Sequence, residues 1–291
     1  MIDGRAVQPS AQRATGELPL GVRPNSVGGY VIMLVLALFY AIPLMFVLFV
    51  ALESPRQFAT NAASIPDPAM WSNFPNAWVR GQFGSYFLNT VTYTLVITTG
   101  TLVIATLAAY PIARNHLGRW SNGVYLLFVS GLLLPAGFIP QFFVLQQLGL
   151  FDTRVGYMLL WLSRMAFPVF VLTGFIKGIP PELDDAAAID GCGYVRFIFQ
   201  IVMPLMKPAL GVVGLICTIR VWNDIINPVI FLPSRAIKPM SAGLFQFYAE
   251  NTAELTLIAA AIVITASPLV LLFLFTQRYI VAGLTGGALK G

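Results

Sequence analysis

Residues 179–208 read IPPELDDAAAIDGCGYVRFIFQIVMPLMKP and form a polar interruption between two long apolar stretches. Glu182, Asp184, Asp185 and Asp190 lie here, four of the chain's twelve acidic residues. Pro181 suits the first position of a helix, where its missing N–H costs nothing. The acids that follow fall in the first turns, beside the positive end of the helix dipole. Ala186, Ala187 and Ala188 combine high helix propensity with little bulk. Gly191 is placed to stop that helix. Residues from Gly193 to Gln200 can start a second one, and Pro204 and Pro208 open the next apolar run. The spacing predicts a short helix, a glycine turn, a second helix and a return into apolar surroundings.

The flanks decide the fold class. Of 291 residues, 57% are hydrophobic and 10% charged, where a soluble domain carries about 25% charge. A span of about 30 Å needs roughly 20 apolar residues, and the apolar runs predict an all-α, polytopic membrane protein with six transmembrane helices. They fall at about 28–51, 86–112, 121–145, 155–177, 204–230 and 255–277. Pro43 is expected to kink the first, and Pro135 and Pro140 to distort the third. Residues 53–85, with Trp71 and Trp78 at the interface, and 231–254 read as aqueous loops. Residues 1–27 read as a cytoplasmic tail without a signal-peptide pattern, 28–280 as the transmembrane domain, and 281–291 as a short cytoplasmic tail.

Six spans put both termini on one side. That side holds Arg5, Arg13, Arg23, Arg114, Arg119, Lys177, Arg196, Lys207, Arg278 and Lys290, ten basic residues. The other holds five: Arg56, Arg80, Arg154, Arg235 and Lys238. Basic loops stay in the cytoplasm, so both termini and the 179–208 segment are expected there. The net charge of +5 follows from the same bias and does not indicate nucleic acid.

The segment resembles the coupling motif of ABC importer permeases: an acid, Ala-Ala, Asp-Gly three residues on, then Pro thirteen residues after the Gly. Asp185, Ala186, Ala187, Asp190, Gly191 and Pro204 match, Pro208 extends the match, and Glu182 precedes it. Asp185 stands where the family usually has Glu, and Cys192 where it usually has Ala. Further stretches are similar to the maltose-type, oligosaccharide branch: Leu88-Asn89-Thr90, Ala109-Tyr110, Ala113-Arg114, Leu148-Gly149-Leu150, Trp222-Asn223-Asp224 with Asn227-Pro228, Gln277-Arg278-Tyr279 and Gly283-Leu284-Thr285. The resemblance covers roughly 85–291. It implies a permease subunit in a bacterial inner membrane, with a cytoplasmic coupling helix between helices 4 and 5. The implied partners are a second permease, an ATPase dimer and an extracytoplasmic sugar-binding protein. This chain has no GxxxxGK[ST] loop, so no cofactor is expected in it, and ATP and Mg would sit on the ATPase.

Other chemistries find little support. Cys192 and Cys217 have no paired or ligand spacing and read as reduced and structural. His116 is the single histidine. No HExxH, GxSxG or paired intramembrane aspartates suggest a membrane-embedded enzyme. Thr98, Thr99, Gly100, Ala105, Ala108 and Ala109 suit close helix packing, and Tyr30, Tyr93, Phe138 and Phe142 read as packing or lipid-facing residues.

The costly residues are Arg164 and Arg220. A central membrane Arg costs about 2.5–3.5 kcal/mol on insertion scales. Rising about 1.5 Å per residue, Arg164 lies some 14 Å in from the outer end of its helix, and Arg220 about 24 Å up from the cytoplasm. Two fates are open: bonding carbonyls or pairing with Asp224 inside a helix interface, or lining a water-filled substrate path. Satisfied arginines suit a neutral oligosaccharide; surplus charge suits an anionic saccharide or sugar phosphate. Trp222, Asn223, Asp224 and Asn227 near the outer end of helix 5 have side chains of sugar-binding type and join the same candidate path, as scaffold or as contact.

Overall fold

A computed structural model describes residues 27–134 and 137–288. In chain order the helices are α1 (Val27–Leu52), α2 (Pro55–Thr60), α3 (Asn73–Arg80), α4 (Phe83–Ala113), α5 (Ser121–Ser130), α6 (Phe138–Gln147), α7 (Arg154–Leu162) and α8 (Ala166–Lys177). They continue with α9 (Glu182–Ile189), α10 (Tyr194–Phe197), α11 (Met203–Leu205), α12 (Lys207–Trp222), α13 (Ile226–Phe231), α14 (Met240–Glu250) and α15 (Leu255–Ala288). No strand occurs among the described residues. The N-terminal tail before Val27, Pro135 and the last three residues, Lys290 among them, lie outside them.

Among the described residues three helices are long and apolar enough to cross a membrane: α1, α4 and α15 over Leu255–Phe275. Two bent pairs qualify jointly: α7 with α8, bent by 45°, and Tyr194–Leu205 with α12, bent by 87°. The chain divides into compact units at Phe46 and Val47. In the first unit, α1 carries exposed apolar side chains all round, Tyr30 and Phe39 included, and runs helically through Pro43.

The second unit is organised around α4. By rise per residue α4 is roughly 46 Å long, and α5, α7, α8, α12 and α14 all pack on it. Its buried stripe, Tyr93, Ile97, Thr101, Ala105 and Ala109, recurs every fourth residue and so lies on one face. Small residues let neighbours close in. A Cβ on Gly100 would meet Leu162 at 2.9 Å, and Thr98 lies 3.3 Å from Thr218 of α12. The helix α15 packs on α12, α14 and α3.

Several helices read as continuous are broken, and prolines explain where. Proline cannot donate to the carbonyl four residues back, and its ring crowds that carbonyl. Pro168 therefore ends α7–α8 continuity at Arg164, and Pro228 ends α12–α13 continuity at Asp224. Pro204 falls four residues after Gln200, inside a π turn at Ile198–Val202, and Pro208 follows the bend at Met206. The third apolar run is two helices, α5 and α6, and Pro140 sits in the first turn of α6, where its missing N–H is harmless.

The stretches read as loops also hold helices. Pro55 opens α2, whose N-cap Ser54 accepts from the Gln57 amide at 3.2 Å. Buried Asn73 of α3 donates to the carbonyls of Ala51 and Glu53, both at 2.9 Å, satisfying backbone groups orphaned at the end of α1. In the second loop, Thr90 accepts from the Met240 amide at 2.7 Å and fixes the start of α14. The last helix runs to Ala288, beyond the end expected at 277.

Candidate functional site

Two polar networks attach to opposite ends of α4. The first lies at its C-terminal end and includes the 179–208 segment. Glu182, Asp184 and Asp185 fill the first turn of α9, Asp190 is its C-cap, and Gly191 has φ +65°. That left-handed backbone is where glycine carries no Cβ penalty. It lets the Cys192 amide reach the Ala187 carbonyl at 2.9 Å, while the Gly191 amide bonds Ala188 at 3.1 Å.

One face of α9 is held. Ala187 is buried in a core formed by α4, α8, the Phe197–Val202 stretch and the start of α12. Arg114, one residue past α4, forms an ion pair with Asp184 and donates to the Ile179 carbonyl at 2.9 Å. Tyr194 donates to the Leu107 carbonyl at 2.8 Å. Pro111 lies four residues after Leu107, so this carbonyl lost its helical donor to a proline and regains one from the segment. The other face is free: Glu182, Asp185, Ala186, Asp190 and Ile189 are exposed, Ile189 to 87%. Pro204 and Pro208 are exposed at the return turn.

The second network centres on Asp224, buried at the α12–α13 break. Its Oδ2 accepts from the Tyr157 hydroxyl at 3.0 Å and the Trp161 indole at 2.9 Å. Its Oδ1 accepts from the Asn227 amide group at 2.8 Å and the Asn227 backbone at 3.2 Å. Pro228 freed its main-chain carbonyl, which Ser241 of α14 takes up at 2.6 Å. A carboxylate deep in apolar surroundings must be hydrogen-bonded, and here neutral donors do all of it.

Neither arginine pairs with Asp224. Arg164 donates to Asn227 Oδ1 at 2.8 Å and lies over the Trp161 ring at 4.8 Å. Arg220 ends α12, where a cation suits the negative helix terminus. It is exposed, and among the described residues no ion pair or hydrogen bond engages its guanidinium. Both arginines line one small, half-open cleft, together with Thr101, Trp161, Phe167 and Cys217. No acidic residue lines it.

The remaining candidates go elsewhere. Trp222 is buried, donates to the Thr265 carbonyl at 3.2 Å and meets Phe87 edge-on; it faces α15 and not the pocket. Asn223 is exposed at the end of α12. Tyr93 packs as expected, yet its hydroxyl also donates to the Ile237 carbonyl at 2.6 Å. Asn89 donates to the carbonyls of Ala236 and Lys238 and accepts from Arg154 at 3.1 Å. Asn89, Thr90 and Tyr93 thus pin the 235–240 stretch to the N-terminal part of α4. Among the described residues no side-chain group is arranged to hold a metal ion.

Comparison with known proteins bears on the family and the fold. Residues 101–286 match the family described as binding-protein-dependent transport system inner membrane component. The chain is 33% identical to the melibiose/raffinose/stachyose import permease protein MelC of Bacillus subtilis, over 78% of this chain and 83% of that one. It is 30% identical to the sn-glycerol-3-phosphate transport system permease protein UgpE of Yersinia pestis, over 87% and 94% respectively. Its fold matches the crystal structure of a bacterial ABC transporter involved in the import of the acidic polysaccharide alginate, with TM-score 0.77, 21% identity, and coverage of 87% of this chain and 95% of that one. The chain, a membrane transport component and not an enzyme, belongs to the family of binding-protein-dependent transport system inner membrane components.

Proposed function

We propose that this chain is one of two permease subunits in an ATP-driven saccharide importer and that α9 is its coupling helix. The observation that carries the coupling role is the two-sidedness of α9. One face is fixed by buried Ala187 and by the ion pair of Asp184 with Arg114, while the face with Asp185, Ala186 and Ile189 is exposed among the described residues. A helix fixed on one side and bare on the other transmits force when a second protein grips the bare side. That protein would be a cytoplasmic ATPase carrying ATP and Mg. Closure of the ATPase pair would move α9 as a lever, and α4, α8 and α12 with it. A docked extracytoplasmic binding protein would then release its saccharide into the path between the two permeases.

The saccharide class rests on the relatives, among them those named for melibiose, raffinose and stachyose import and for sn-glycerol-3-phosphate transport. Six spans follow if α5 with α6 counts as one crossing beside α1, α4, α7–α8, α12–α13 and α15. Both termini and the 179–208 segment would then face the cytoplasm, a reading supported by the ten basic residues on that side against five on the other.

The test uses the reconstituted four-component transporter. Gly191→Pro removes the left-handed turn, and Asp185→Lys reverses charge on the bare face. Both variants are expected to assemble, yet to lose ATPase stimulation by the binding protein together with saccharide uptake. Stimulation at the unmodified level in both would contradict the lever.

A further inference from the structure

We propose that the pocket between α8 and α12 binds the carboxylate or phosphate group of an anionic saccharide. This rests on the importer reading and narrows its substrate class.

Each guanidinium carries five N–H donors in a fixed fork and no acceptor. Arg164 spends one on Asn227 and is oriented by the Trp161 ring. Arg220 spends none on any described residue. Asp224 is hydrogen-bonded to Tyr157, Trp161 and Asn227 and to neither guanidinium, so its one negative charge, set behind Asn227, offsets at most one of the two positive ones. The pocket therefore gathers two guanidinium groups and, among the described residues, no carboxylate in its wall; a net positive charge remains, and the rest of the wall is mainly apolar, with Thr101 and Cys217. Paired guanidinium forks over a low-dielectric wall recognise carboxylate and phosphate by bidentate bonds. The Trp161 ring and Asn227 hold Arg164 in place before a ligand enters.

Cys217 lines the same pocket and reports on its potential without knowledge of the natural ligand. The complete transporter is prepared with Cys192→Ser in this chain and placed in nanodiscs. Modification of Cys217 by a negatively charged and a positively charged methanethiosulfonate is followed by mass spectrometry of this chain. A cleft lined by one sign of charge raises the arrival rate of the opposite sign by about tenfold or more. The anionic reagent is expected to react about tenfold faster, with the preference falling toward unity in Arg220→Gln. Trigalacturonate is expected to protect Cys217, and its trimethyl ester, uncharged and slightly larger, to leave it unprotected.

A rate ratio near one in the assembled transporter would overturn the proposal and show that a partner subunit neutralises Arg220. Equal protection by acid and ester would also overturn it. A preference that disappears when phosphatidylglycerol replaces phosphatidylcholine would assign the pocket to a lipid headgroup instead. Failure of the importer reading itself looks different: no saccharide, charged or neutral, would then be taken up with ATP.

Discussion

Arg114 stands one residue past α4 and Asp224 at the α12–α13 break, and the two charges are satisfied in different ways. Arg114 meets a carboxylate directly, Asp184, and adds the carbonyl of Ile179. Asp224 meets only neutral donors, and the nearby Arg164 reaches it through Asn227. The first arrangement joins two elements by a largely buried ion pair, in which each charge offsets the desolvation of the other. The second lies between apolar helices, where separating a carboxylate from its donors is costly. The comparison teaches that the Arg114 end is built as a joint and the Asp224 end as a fixed block. The arginines left over at the block are free to serve the pocket.

The sharpest way to break the comparison is at the block. Asp224→Ala strands the donors of Tyr157, Trp161 and Asn227 together. Each hydrogen bond to a charged group is worth roughly 1.5–3 kcal/mol. The expected outcome is loss of stable assembly, seen as loss of the transporter peak in size-exclusion chromatography. Retained assembly with an unchanged melting temperature would show that the block is not structural.

At the joint the effect should be smaller and of another kind. Arg114→Gln is expected to leave assembly and basal ATPase activity intact but to cut stimulation by the binding protein about tenfold, equivalent to roughly 1.4 kcal/mol of coupling. Asp184→Asn should fall between it and the unmodified protein. Equal loss of basal and stimulated activity would make Arg114 merely structural.

The smallest effect isolates one hydrogen bond. Tyr194→Phe removes the donor to Leu107, worth about 1 kcal/mol, seen as a small drop in melting temperature. Pro111→Ala returns a helical donor to that carbonyl, so in its background Tyr194→Phe should cost less. The full cost in both backgrounds would mean that the proline-freed carbonyl is not what Tyr194 serves.

Much of this was legible in the residues. The Pro181–Gly191 helix and its glycine turn follow from local chemistry, because caps, dipole and left-handed backbone act within a few residues. The helix breaks were legible too, though reading apolar length alone runs straight through them. Pro168 and Pro228 each lie four residues after a membrane charge, Arg164 and Asp224, so the breaks fall at the charged residues. The partners were not legible. Tyr157 and Trp161 lie 67 and 63 residues from Asp224, and Arg114 lies 70 from Asp184. Such pairings are set by how helices pack, which periodicity in one helix does not encode. Trp222 shows the same limit: its residue type suits a sugar, and its packing turns it toward α15.

The central claim, that the bare face of α9 seats on the ATPase, is tested most directly by placing a cross-linker on it. Ile189→Cys is made with Cys192→Ser and Cys217→Ser, labelled with benzophenone maleimide, and photolysed in the reconstituted transporter. An adduct between this chain and the ATPase is expected, with labelling by an impermeant thiol reagent only after the membrane is opened. An adduct with the binding protein, or labelling from outside sealed cells, would contradict it.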